Sequence, residues 1–207
     1  MHARAAAATA ALALAAAVAS MPAHAVITTV TDTGGLYSLT LRVGTAGATV
    51  DTVAFNVTGA AAQSPVPLTG SQTIDIWVQP IRPTLANTTA RPVTLRVDSS
   101  TALSCPLGTC GGATIPFSKI SWVATFNDNL ASGDIQTGRF TGGGSQLIAS
   151  YNANATFCSG LLCPLLGAWT YQSRQLTGTR LQFTYDNDVV YPAGNYKGTV
   201  RFTASME

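Results

Sequence analysis

Between Leu36 and Ala204 apolar and polar residues alternate in short runs, separated by Gly, Asn and Pro. A period of two places alternate side chains on opposite faces of an extended chain, so each run predicts a half-buried β-strand. The runs are Leu36 to Val43, Val50 to Val57, Thr73 to Gln79 (stopped by Pro80), Val93 to Asp98, and Lys119 to Phe126. They continue as Ile135 to Thr141, Gln146 to Tyr151, Trp169 to Arg174, Thr179 to Tyr185, and Tyr196 to Ala204. Ala60 to Gly70 reads as an edge loop. No stretch after residue 25 carries a helical period, and Thr, Val, Ile and Gly dominate. About nine to ten strands at even spacing predict an all-β chain, an immunoglobulin-like Greek-key β-sandwich. One domain over 26–207 is expected, with a split near residue 112 into two small sandwiches, or a barrel, as alternatives.

The first 25 residues follow a different pattern. Met1-His2-Ala3-Arg4 is a basic start, Ala5 to Ala19 is an apolar run, and Ala23-His24-Ala25 is a small-x-small cleavage signature. This predicts a secretory signal peptide over 1–25, its apolar run being too short for a membrane span. The expected location is exported: periplasm, cell surface or extracellular medium. Both histidines, His2 and His24, fall inside this leader. Without Arg4, ten Lys/Arg face nine Asp/Glu, and this balance argues against nucleic acid or an anionic membrane as partner. The later apolar runs are too short to cross a bilayer.

An oxidising destination changes how the cysteines read. Cys105 and Cys110, and Cys158 and Cys163, form two pairs of equal spacing. Two local disulfides are expected, closing loops at Leu103 to Gly112 and Phe157 to Gly167. A four-thiolate zinc site is the rival, and cross-pairing of the two loops stays open.

Candidate chemistry is sparse. Without a mature histidine there is no Ser-His-Asp triad and no His-bearing metal site. Asp32-Thr33-Gly34 matches the tripeptide of aspartic proteases, but it occurs once, and a turn is the simpler reading. Asp186-Asn187-Asp188 and Asn127-Asp128-Asn129 are oxygen-rich and would suit calcium, yet neither has the full loop pattern. Asp186 and Asp188 also sit too close together to bracket a sugar as paired glycosidase carboxylates. Trp77, Trp122 and Trp169 lie in apolar strand contexts and read as packing residues; facing outward they would stack on sugar rings. Asn56-Val57-Thr58, Asn87-Thr88-Thr89 and Asn154-Ala155-Thr156 match glycosylation sequons, read here as ordinary strand sequence because the Ala-rich leader is of bacterial type. A non-enzymatic protein without cofactor or metal is expected.

The closing segment carries the most specific pattern. Pro192, Gly194, Tyr196, Gly198, Val200 and Phe202 recur at every second position, followed by Ala204 and Met206. This ending resembles the last strand of chaperone–usher pilus subunits and related bacterial surface sandwich domains, over about sixteen residues. The resemblance implies a fimbrial or adhesive structural subunit whose sandwich is completed by a strand from a neighbour. It assigns Tyr196, Val200, Phe202 and Met206 to the pairing strand, and Val26, Ile27 and Val30 to the donor side. The sequence departs from the family at Met206, where an aromatic is usual, in its short N-terminal run, and in its two local cysteine pairs. The expected partners are other subunits, self included. The alternative is a self-complete binding module for a carbohydrate or small ligand.

Overall fold

The structure, a computed structural model, describes residues 26–31, 38–44, 51–81, 91–105, 110–126, 133–153, 155–158, 169–172 and 176–207. The chain is all-β, as its alternation predicts. Its strands are β1 Val26–Thr31, β2 Ser38–Val43, β3 Thr52–Val57, β4 Leu68–Ile81, β5 Arg91–Asp98, β6 Leu103–Ser104, β7 Thr114–Ile115 and β8 Ile120–Thr125. There follow β9 Gly138–Arg139, β10 Gln146–Ala153, β11 Ala155–Cys158, β12 Trp169–Gln172, β13 Leu176–Tyr185, β14 Gly194–Thr199 and β15 Arg201–Met206. Short 3-10 turns lie at Gly59–Ala62 and Phe117–Lys119.

A six-stranded sheet has the order β1-β2-β4-β13-β8-β9. Facing it are a three-stranded sheet, β10-β5-β15, and a four-stranded sheet, β3-β14-β6-β7; β11 and β12 pair separately. The layers meet in one apolar core. Ile74, Ile76, Val78, Leu181 and Phe183 come from the large sheet, Val93, Leu95 and Val97 from the three-stranded sheet, and Val53, Phe55 and Tyr196 from the four-stranded sheet. Alternation explains the membership: along β5 the buried residues are Val93, Leu95 and Val97, while Thr94 and Arg96 face away. Ring contacts cross the layers, as between Phe55 and Tyr185 at 5.8 Å.

The structure departs from the expected elements in several places. β4 begins at Leu68, inside the edge loop expected over Ala60 to Gly70, because Leu68 and Thr69 pair with Tyr185 and Thr184 of β13. The N-terminal run, which alternates poorly, is strand β1, paired to β2 from Val26↔Val43 through Thr31↔Ser38. β4 does not stop at Pro80 but runs to Ile81. Among the described residues its pairing with β13 ends at Val78, and Pro80 is registered on Leu39 of β2. The run from Ile135 to Thr141 keeps only Gly138–Arg139 as strand. Side chains take the backbone partners there: the Trp122 indole N–H donates to the Gln136 carbonyl at 2.7 Å, and the Asp134 carboxylate accepts from the Ile135 N–H at 2.6 Å. Finally, the closing run from Tyr196 is two strands. Val200, 2% exposed, breaks them apart, its N–H donating to the Asp51 carbonyl at 2.9 Å. β14 joins the four-stranded sheet and β15 the three-stranded one.

The Gly residues of the closing motif are spaces for larger neighbours. Cys105 and Cys110 are joined as a disulfide. It lies on Gly194, where an added Cβ would fall 1.9 Å from the Cys110 sulfur. A Cβ at Gly198 would meet the Phe117 ring at 2.9 Å. The pairing of Cys158 with Cys163, and the expected leader over 1–25, lie outside the described residues.

Candidate functional site

At its β1 edge the six-stranded sheet is left uncovered by the facing layer, since Val26 and Val30 are exposed. Directly paired residues of antiparallel strands project to the same side, so Val26, Thr28 and Val30 share the core-facing side of Val43, Leu41 and Leu39. Leu39 and Val43 are buried, Leu41 is half-buried, and Val26 and Val30 are 52% and 65% exposed. The core-facing side of β1 therefore has no strand beneath it among the described residues. Among the described residues β15, the end strand of the facing sheet, pairs with β5 on one side only, from Arg201↔Asp98 to Met206↔Val93. Its inward residues Phe202, Ala204 and Met206 are half-buried against the core.

Between the two edges runs a groove of about 270 Å³, with Val26, Leu41 and Val43 on one wall and Val200 and Phe202 on the other. Its mouth is polar: Asp51, Asp98, Thr101, Thr199 and Arg201. The Asp98 carboxylate accepts from the Ser100 hydroxyl at 2.7 Å and the Ser100 N–H at 3.0 Å. These bonds, with Arg201 opposite, hold Asp98 below the usual carboxylate range. Asp51 accepts from the Thr52 hydroxyl at 3.1 Å. Apolar walls beside an unpaired strand edge can bind an extended peptide through backbone hydrogen bonds and alternate side-chain pockets.

The predicted pairing residues are thus partly gathered. Val26, Val200 and Phe202 line one groove within a single chain, and Met206 lies further along the same edge. Val30 continues the wall beyond the groove lining. Ile27 points to the opposite face, beside Arg42. Tyr196 does not belong to a pairing edge: it is buried in β14 between β3 and β6, its hydroxyl donating to the Pro192 carbonyl at 2.8 Å. Burial pushes that hydroxyl above the usual tyrosine range. The groove's other wall, Leu41 and Val43, was visible as an alternating run, but nothing local marks it as facing β15. Asp51 and Asp98 carried no signal, since strand ends are commonly acidic or polar.

The other candidates resolve into structural roles. Asp186 forms a forked ion pair with Arg139, and Asp188 pairs with Lys119 at 2.5 Å. The Lys119 ammonium draws the Asp188 carboxyl down, and Asp188 raises Lys119 in turn. Between them Asn187 is buried, its amide donating to the carbonyls of Ala61, Ser64 and Val66 at 2.9–3.0 Å. These three side chains diverge, and among the described residues no three metal-ligating side chains converge. Trp122 is buried. Trp77 is half-buried on the outer face, with the Arg42 guanidinium 4.6 Å from its ring centre and Gly178 against its edge. That cation occupies the face a sugar would need. The side chain of Trp169, Asp32-Thr33-Gly34 and Asn127-Asp128-Asn129 lie outside the described residues. Among the described residues no helix is long and apolar enough to cross a membrane. No family model, curated protein or solved structure matches the chain.

Proposed function

We propose that the protein is an exported, non-enzymatic structural or adhesive subunit of the bacterial surface, joined to partner subunits by β-strand addition. The observation that carries this reading is the one-strand overhang of β1 beyond the free edge of β15. A strand added to β15 would take up the open backbone groups of that edge and slide beneath Val26 and Val30. Covering those two half-exposed side chains would contribute about 1 kcal/mol each. The mechanism involves no bond chemistry. The ladder supplies affinity, and the groove selects side chains at every second position.

Phe202→Asp tests this by placing a charge in the groove wall at a half-buried side chain. In surface fractions of cells making the wild-type chain, unboiled SDS gels should show high-mass species containing this protein. Boiling should dissolve them, and the variant should lack them while melting as cooperatively as wild type. Monomer alone from both proteins would overturn the reading. The glycan-module alternative draws no support from Trp77, whose exposed face Arg42 covers.

A further inference from the structure

We infer that β1 is a fixed wall of the groove, so that each copy accepts one extended strand from a different chain, and that its acidic mouth selects a Lys or Arg on that strand. This rests on the strand-addition reading and names the partner's chemistry. The width of the site decides between occupants. The overhang is one strand wide, with β1 projecting past β15. A second copy docked edge to edge on β15 would bring its own β2 and β1 over its own β15, into space that β1 already holds. A lone strand meets no such obstacle.

The donor is also not the β1 of another copy. All six residues of that strand are registered on β2. Donating it would cost that ladder and lay open the side of Leu39, Leu41 and Val43 that β1 now flanks. The chain is therefore built as an acceptor, and Val26 acts as wall instead of donor.

Charge sets the polarity of the guest. Two carboxylates, Asp51 and Asp98, stand at the mouth with one cation, Arg201. Arg201 is cross-strand from Asp98, which Ser100 also holds. Asp51 is exposed, and among the described residues its carboxylate accepts one hydrogen bond, from the neighbouring Thr52 hydroxyl. It is the carboxylate left to meet a cation on an incoming strand. A guest with apolar residues at every second position and a basic residue over Asp51 fits both wall and mouth.

Fluorescence anisotropy with labelled peptides tests this. Four peptides would share an alternating Val–Thr core and carry Lys or Glu at the first or the last position, since the strand direction is open. One Lys peptide should bind about three- to fivefold more tightly than its Glu counterpart at low salt. The advantage should vanish at high salt and in Asp51→Asn, while Phe202→Asp should abolish binding of every peptide. The complex should remain one chain with one peptide, with β1 amides still protected from hydrogen exchange. Equal affinities, a Glu preference, or β1 amides released by the peptide would overturn the acceptor assignment while leaving strand addition standing. Failure of all four peptides to bind would remove both.

Discussion

Gly194 shows how a single residue ties local pattern to packing. The disulfide sulfurs occupy the place of its missing side chain. Gly194→Ala should destabilise by about 1–3 kcal/mol, as overpacking does. Chemical denaturation would measure this, and replacing Cys105 and Cys110 together with Ala should recover most of the added cost, since the obstructing sulfurs are gone. Tyr185 offers a second test. Burial, followed by the nearby Tyr191 and acidic groups, pushes its hydroxyl above the usual tyrosine range. A raised folded value means that its contribution is full below about pH 10 and is lost as the pH rises further. Tyr185→Phe should therefore flatten the alkaline decline in melting temperature. The Asp186-Asn187-Asp188 triplet was legible as a polar strand end, but not as two ion-paired carboxylates flanking a buried amide. Its carboxylates look like ligands until Arg139 and Lys119, far away in sequence, are placed beside them.

Elements were legible where alternation was strict and their partners were long. β5, β10 and β13 appear close to where their patterns lie. Boundaries failed where a tertiary contact took a backbone group, as at Gln136, or supplied a corner, as at Val200. Unbroken alternation through Val200 hides the corner because the same side chains stay inward on both sides of it. The ion pairs around the end of β13 are a feature of elements too: they join the 3-10 turn before β8, β9 and the residues after β13. Asp188 is lowered by Lys119, so its contribution is present above the unfolded carboxylate value, about pH 4, and is lost as pH falls through the folded value. Lys119→Met should leave a melting temperature less dependent on pH between about 2 and 5.

At the scale of the molecule, the core-facing side of β1 is uncovered and, among the described residues, β15 is paired along one edge. Paired residues of β1 and β2 should then respond unequally. Val30→Lys should change stability by no more than about 0.5 kcal/mol, because the side chain already meets solvent. Leu39→Ala, directly across the ladder, should cost about 2–4 kcal/mol. Urea unfolding of both variants checks the overhang without knowledge of any partner; a large loss at Val30 would mean that β1 is covered.

Alternation is a local property. It follows from the two-residue repeat of one extended chain, and so the strand content and the inward residues of β5 and β13 were contained in neighbouring residues, whereas the Cys105–Cys110 link was chosen by the fold from the pairings that the sequence left open. Which strands end a sheet is not local. It depends on pairings between residues far apart along the chain, such as β15 with β5 and β1 with β2, and on how many strands each layer holds. The same Val26 and Phe202 that read as two separate partners in the sequence become two walls of one groove, because only long-range packing sets them face to face.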